Sequence, residues 1–581
     1  MNLERNKVLG ILLLAATVML GIAVRLPGTT RGLATENWRE ADIAAIARNF
    51  SREGMDPLHP RVDWRGDGPG YAEMEFPFLP WTTACLYNVF GVHIAIGRIL
   101  SLSASVLSLL LFAALARRVL PGVGALAATA FYALNPLSIW LSSALQPEPF
   151  MMAATLAAVL ALHRWLEGQR NLDYAIALVA LAVALLAKLT AIHIGLVFAI
   201  LILQRYGRET WKQGKVWLLA AGALLPAAAW YLHAHHLWKA YGNSLGLSNE
   251  YHWLGLDLLA HPSSLLGIPH TELLWVFMRT GAAMAVLGIA CARSARPFRF
   301  ELVWLGATWL YYLAAARTTA DSWAFYYHIA SVPPAALLVG RALSAAWAIP
   351  SFGAAVHGHV PDMAGAMGKP QGIGSIVNSQ GLPVLADHGQ APSVHDRGSP
   401  SGLPMPPGIR RWLRSAAWEG GKQGVGGRLQ RAGAVALLAL CLLEEAHVAH
   451  RERNGTPPSK MLSCATEFSP LIPKDALVVA SGGPCIDETS KPVAFNASYA
   501  FYWLDRKGFN TCQQRQSLDA LGEFERRGAR YFVMENDAAA ATPGFAEAVR
   551  QDYLLKAQCA EAALFELGGR RTSNREHGNT E

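Results

Sequence analysis

Apolar runs separated by short polar connections occupy most of the chain. They fall at residues 8–24, 94–116, 123–145, 150–166, 172–203, 216–232, 273–291, 302–316, 326–343 and 432–443. At 1.5 Å per residue the 172–203 run would extend ~48 Å, too long for one crossing of a bilayer core of about 30 Å. Splitting it into a hairpin at Lys188 gives about eleven membrane-spanning helices. A further apolar stretch, 76–91, holds Pro77 and Pro80 and reads as an interfacial or re-entrant helix that does not cross.

The basic residues test this arrangement. With the N-terminus inside, the inner connections hold Arg117/Arg118, Arg164/Arg170, Arg205/Arg208/Lys212/Lys215 and Arg293/Arg296/Arg299, whereas the outer ones after the first loop hold only Lys188, Lys239 and Arg317. That asymmetry is how a multi-pass protein orients itself. It holds only if 76–91 stays on one side. The first run, 8–24, follows Arg5 and Lys7 without a clear small-x-small cleavage pattern, and reads as an uncleaved first helix.

Two polar regions interrupt the helices. Residues 346–430 are rich in Gly, Pro and Ser and read as a flexible cytoplasmic linker, its His357, His359, His388 and His395 too scattered for a metal site. A last span over 431–446 leads to a small α/β domain, 455–570. There, 476–480 and 531–534 read as strands, 498–507 and 517–527 as helices, and Gly508 as a C-cap. Eleven spans put this domain outside, where its Cys464, Cys485, Cys512 and Cys559 are compatible with two disulfides; no CxxC pair suggests zinc.

Composition agrees. Of 581 residues, 52% are apolar and only 16% charged, with a mean hydropathy of +0.23. This excludes disordered, coiled-coil and ordinary soluble classes. The net charge of +8 lies in groups between apolar runs, not on one face, so no nucleic-acid partner is expected.

The candidate chemistry lies in the first outside loop, 27–91. Its acids are Glu36, Glu40, Asp42, Glu53, Asp56, Asp63, Asp67, Glu73 and Glu75. Residues 37–50 read as a surface helix on which Trp38, Ala41, Asp42, Ala45, Ile46 and Asn49 share one face. Asp42 is then the single acid on the apolar face, with Glu36 and Glu40 opposite and Arg39 and Arg48 flanking. Further on, Glu73 and Glu75 sit immediately before the proline-marked start of the interfacial helix.

Three stretches carry a family resemblance: Trp38-Arg-Glu-Ala-Asp-Ile-Ala-Ala-Ile-Ala-Arg-Asn-Phe50, Glu73-Met-Glu-Phe-Pro77 and Tyr326-Tyr-His-Ile-Ala-Ser-Val-Pro-Pro334, with Phe90-Gly91 and Gly97-Arg98 between them. Over residues 1–345 the chain resembles the GT-C polyprenyl-phosphate-sugar glycosyltransferases, the superfamily of the protein O-mannosyltransferases (glycosyltransferase family 39) and the lipid A aminoarabinose transferase. The resemblance implies a polytopic α-helical GT-C membrane domain, residues 1–345, with a small extracytoplasmic α/β domain. It implies an inverting transferase that moves a hexose or pentose from a polyprenyl-phosphate carrier to a lipid, glycan or protein acceptor. The setting would be the periplasmic face of a bacterial cytoplasmic membrane. It places the catalytic acids on Asp42, as general base, and Glu75. In the aminoarabinose group the second acid is followed by a lysine and two prolines; here Phe76 and one proline follow, so another cation must meet the lipid phosphate.

Arg98, Arg279 and Arg317 are the first candidates for that cation, with Lys188 and His328 behind them; Arg39, Glu73, Tyr326 and Tyr327 complete the expected binding residues. No cofactor is required. The alternative is a divalent metal ion held between Asp42 and Glu75. Two other functions compete: a transporter or flippase of lipid-linked sugars, and a non-catalytic cell-envelope assembly protein. Against the first, no internal repeat is found and the charge sits in a loop rather than at the midplane.

Overall fold

The computed structural model describes residues 2–33, 38–247, 255, 258, 262–293, 299–348, 423–455, 461–486 and 498–568. The linker expected over 346–430, with its histidines, lies almost wholly outside them, as does Glu36.

All eleven expected spans are helical. In chain order the helices of the N-terminal part are α1 (Asn2–Ala23), α2 (Trp38–Glu53), α3 (Phe78–Phe90), α4 (Ile94–Val119), α5 (Gly122–Leu134), α6 (Pro136–Leu141), α7 (Glu148–Gly168), α8 (Asn171–Ala187), α9 (His193–Tyr206) and α10 (Gly214–Tyr241). They continue with α11 (Gly267–Val276), α12 (Met278–Arg293), α13 (Phe300–Ala314), α14 (Ser322–Trp347) and α15 (Gln423–Gly455). Among the described residues seven stretches are long and apolar enough to cross a membrane unaided: Val8–Thr30, Ile94–Val119, Glu148–Gly168, Leu189–Lys212, Gly214–Tyr241, Ser322–Trp347 and Leu429–Glu452. The other expected spans are shorter or broken. The α11–α12 pair bends by 102° at Phe277. The α5–α6 run breaks at Asn135-Pro136, where the Asn135 side chain accepts from the Ser138 N–H at 3.2 Å. Proline cannot donate to the preceding turn, and asparagine caps the helix that restarts.

The long 172–203 run does break at Lys188, which lies in extended conformation between α8 and a short 3-10 turn, Leu189–Ile192. Helix α3 spans 13 residues, about 20 Å, too short to cross. The bundle core is one apolar cluster drawing on α4, α5, α7, α8, α9, α13 and α14, with Trp165, Phe112, Phe131, Leu156 and Trp304 buried at its centre.

Short strands β1 (Ala72–Glu73) and β2 (Asn243–Ser244) pair in parallel beside α10. The C-terminal domain follows with α16 (Met461–Phe468), β3 (Leu477–Ser481), α17 (Ser498–Leu504), β4 (Lys507–Thr511), α18 (Leu518–Arg526), β5 (Ala529–Glu535), α19 (Asn536–Ala541), α20 (Phe545–Asp552), β6 (Leu554–Gln558) and β7 (Ala562–Glu566). Its sheet has the order β4-β3-β5-β7-β6, parallel across β4, β3 and β5 and antiparallel beyond. Disulfides join Cys464 to Cys559 and Cys485 to Cys512. Ser517 caps α18, its side chain accepting from the Ala520 N–H at 3.1 Å.

Gly508 departs from its expected place as a C-cap: it is the second residue of β4. A Cβ there would meet the Val478 carbonyl oxygen at 1.8 Å. Only glycine lets β4 lie against β3 while its backbone also bonds the first loop, through Gly508 N–H to the Asp63 carbonyl (3.1 Å) and Gly66 N–H to the Gly508 carbonyl (2.7 Å).

Candidate functional site

Helix α2 is not a surface helix with one wet face. Every residue from Arg39 to Phe50 is buried. One side packs on α3; the C-terminal domain covers the other through α17, whose Tyr502 joins the same apolar cluster as Ile43, Ala44 and Phe50. Glu40, expected opposite the apolar face, is fully buried and takes both oxygens to Arg98 at 3.0 and 2.9 Å. Glu40 also accepts from the Leu145 N–H at 2.9 Å, and Arg98 donates on to the Ser143 and Gly32 carbonyls.

The covering domain is held by charge as well as apolar area. Asp63, 1% exposed, accepts from Arg48 (2.5 Å), Asn49 (2.8 Å) and Lys507. Burial pushes this carboxyl up, but Arg48 and Lys507 together hold it below the ordinary range. Asp505 pairs with Arg48 at 3.0 Å and Arg52 at 2.8 Å, and Asp67 with Arg527 at 2.6 Å.

Asp42 lies under this roof, 1% exposed. The Trp64 indole N–H donates to its Oδ1 at 2.8 Å, and buried Oδ2 has no partner of hydrogen-bonding geometry among the described residues. Burial raises the carboxyl to about 7, against the pull of the Ser498 hydroxyl, Trp64 and Arg39. Ser498 is the first residue of α17, so two of the groups that set Asp42's basicity come from different ends of the chain.

The Glu73–Pro77 stretch is clamped in place. Glu73 accepts from the Ser244 hydroxyl at 2.6 Å and lies 3.6 Å from His235 Nδ1. The Met74 carbonyl accepts from the Trp230 indole at 3.0 Å, and the Phe76 N–H donates to the Leu186 carbonyl at 3.0 Å. Glu75, 3% exposed, meets Arg39 at 2.5 Å, while Arg39 also donates to the Leu245 carbonyl. A narrow apolar crevice lined by Ile43, Leu79, Pro80, Phe150 and Ala187 opens onto Glu75.

Beside it lies a second buried pair that the sequence does not announce. Lys188, 3% exposed, is bonded to Glu148, 2% exposed, at the start of α7. The ammonium stands over the stacked rings of Tyr327 (4.1 Å) and Tyr326 (4.9 Å), which face one another at 4.6 Å. Glu148 was not expected in the site. Its signal is an acid flanked by Pro147 and Pro149 at the head of an apolar run, and an acid within a span carries a functional hypothesis by default.

The remaining expected residues have other surroundings. Arg98 is committed to Glu40. Arg279 has an exposed side chain at the start of α12, where Glu444 accepts its backbone N–H (3.2 Å) and that of Thr280 (3.1 Å). Arg317 is half-buried in the turn Ala316–Thr319. His328 is fully buried, its Nδ1 2.7 Å from Glu272 and its Nε2 donating to the Thr319 carbonyl at 2.9 Å. It anchors the segment that carries Tyr326 and Tyr327. Among the described residues no group of three or more His, Cys, Asp or Glu converges as a metal site.

Known proteins share this architecture. Residues 69–233 match the family profile for dolichyl-phosphate-mannose-protein mannosyltransferase. No curated protein sequence matches the chain. Among solved structures, ArnT from Cupriavidus metallidurans in the apo state superposes with a TM-score of 0.56 at 15% identity, covering 96% of this chain and 97% of that one. The same protein bound to undecaprenyl phosphate gives 0.56 at 14% identity with the same coverage. The oligosaccharyltransferase AglB from Archaeoglobus fulgidus, in complex with an inhibitory peptide and a dolichol-phosphate, gives 0.50 at 13% identity, over 94% of this chain and 72% of that one. The chain is a multi-pass membrane protein with the fold of the GT-C glycosyltransferases.

Proposed function

We propose that the protein is an inverting membrane glycosyltransferase that takes a hexose or pentose from a polyprenyl-phosphate carrier and passes it to a lipid, glycan or protein acceptor, with Asp42 as general base. The observation that carries this reading is Asp42 itself: a buried carboxyl with one oxygen held by Trp64, the other without a partner of hydrogen-bonding geometry among the described residues, and a basicity raised to about 7. Such a group accepts a proton near neutral pH.

The step balances. The acceptor's nucleophilic atom, a hydroxyl oxygen in the simplest case, attacks the anomeric carbon from the face opposite the phosphate. Its proton passes to Asp42 Oδ2. The bond between the anomeric carbon and the phosphate oxygen breaks, and the electron pair leaves with the lipid phosphate, inverting the anomeric centre. Asp42 then releases the proton to solvent or to the departing product. Glu75 keeps Arg39 beside the reacting centre through their 2.5 Å contact.

The bound polyprenyl phosphates of two structural relatives support the donor class. The two disulfides of the C-terminal domain support an oxidising compartment, which in this reading is the periplasmic side of a bacterial cytoplasmic membrane. The test is a transfer assay with the purified chain, radiolabelled polyprenyl-phosphate sugars and a cell-envelope extract as acceptor. Label moves from the carrier to an extract component. Carrier that stays intact with every sugar and acceptor tried refutes the assignment.

A further inference from the structure

We propose that Lys188 is the cation that receives the phosphate of the lipid-linked donor, on a platform made by Tyr326 and Tyr327. The proposal rests on the glycosyl-transfer reading and assigns a residue to its donor site.

A phosphodiester leaving group gathers negative charge as the sugar departs, and a fixed cation must meet it near the reacting carbon. Three of the arginines that the sequence offers are placed elsewhere. Arg98 is closed by two bonds to Glu40 and two to backbone carbonyls. Arg279 and Arg317 sit on the α11–α12 bend and in the turn after α13. Two cations remain beside Glu75. Arg39 spends its terminal nitrogens on Glu75 and the Leu245 carbonyl.

Lys188 differs in its surroundings: its charge meets one carboxylate and two aromatic rings, whereas Arg39 is fixed between Glu75 and the Leu245 carbonyl. An ammonium has three N–H donors. One goes to Glu148, and the nitrogen stands 4.1 Å and 4.9 Å from the ring centroids of Tyr327 and Tyr326, whose faces attract a cation. The backbone around it is fixed to the acid motif, because the Leu186 carbonyl, two residues before Lys188, accepts from Phe76, the residue after Glu75. A structural role alone, neutralising Glu148, predicts something different, and the two can be separated.

The experiment measures binding of undecaprenyl phosphate to the full-length protein in nanodiscs, for the wild type, Glu148→Gln and the double variant Lys188→Met/Glu148→Gln. Glu148→Gln keeps a polar acceptor beside the Lys188 ammonium and the double variant removes both charges, and a thermal midpoint checks that each folds. Once Glu148 is neutral, Lys188 has nothing left to neutralise. The double variant should therefore bind at least about tenfold more weakly than Glu148→Gln, the loss of one charge-assisted hydrogen bond. Undecaprenol, which lacks the phosphate, should not distinguish the two variants. Equal affinity of the two variants for undecaprenyl phosphate overturns the proposal and leaves the glycosyl-transfer reading standing. A wild type that binds no undecaprenyl phosphate overturns both.

Discussion

Replacing Asp42 by asparagine separates chemistry from folding with unusual clarity. The native carboxyl is 1% exposed and titrates at about 7. Relative to an ordinary aspartate, an upward displacement of that size costs the folded state about 4 kcal/mol once the group is ionised. The sign follows from linkage. The folded state holds the proton more tightly than the unfolded one, so this contribution to stability is complete below the unfolded value near 3.8, declines as pH rises toward 7, and is lost above it. Asparagine carries no charge and keeps an oxygen for the Trp64 indole. Asp42→Asn should therefore be at least as stable as the wild type at pH 8 or so, by up to those few kcal/mol. Its transfer rate should nevertheless fall by about 10²–10⁴-fold, the usual worth of a positioned base. The wild-type rate should rise about tenfold from pH 6 to pH 8 as Asp42 ionises through 7. The variant should show no such rise. The assay is single-turnover transfer from a labelled polyprenyl-phosphate sugar across that pH range, with thermal unfolding of both proteins in parallel. A variant that transfers at the wild-type rate, or one that keeps the wild-type pH profile, refutes the assignment of Asp42 as base.

Further outcomes follow from other parts of the structure. Trp64→Phe removes the donor to Asp42 Oδ1, so the midpoint of the pH–rate profile should move above 7, read from the same assay. Asp63→Ala removes the carboxylate that Arg48 and Lys507 share, leaving Arg48 to Asp505 and Lys507 to Glu53, and should cost about 1.5–3 kcal/mol. Limited proteolysis should then cut the C-terminal domain faster. Because Asp63 is held below the ordinary carboxylate range, its contribution is present above about pH 4 and is lost as pH falls further, so acid should loosen the wild type in the same way. Replacing the Cys464–Cys559 pair by serines opens a loop of 95 residues and should lower the domain's stability by about 4–5 kcal/mol in a chain-entropy treatment, measured by denaturant unfolding under non-reducing conditions.

The membrane helices were legible because a span needs only a sufficient apolar run, and each run here is bounded by polar or basic residues. The break at Lys188 was legible from length alone. Helix α2 was legible as a helix, and Asp42 as a residue on its apolar face, because helical period is local. What covers the other face was not. Glu40 reads as solvent-facing on a helical wheel, yet its partner Arg98 lies 58 residues away and the roof over α2 comes from residues beyond 498. The Lys188–Glu148 pair was hidden for the same reason: 40 residues and a helix break separate its members, and a lysine at a hairpin tip looks like one that reaches for water. Gly508 has the local signature of a helix cap, and only the approach of β3 shows that it is needed for a strand.

The roof over α2 also sets an order of events during synthesis. Asn49 and Asp63 are bonded to Lys507, 458 and 444 residues further along the chain. At about 5–20 residues per second, translation reaches Lys507 roughly 20–90 s after Asp63. Throughout that interval Arg48, Asn49 and Asp63 have one another but not Tyr502, Asp505 and Lys507, and Asp42 has Trp64 but not Ser498. Part of the enclosure of Asp42, the Ser498 end of α17, therefore arrives only when the C-terminal domain docks. A ribosome-bound chain stopped before α17 would carry Asp42 without that roof, and the enclosure of this carboxyl is one of the last acts of the protein's folding.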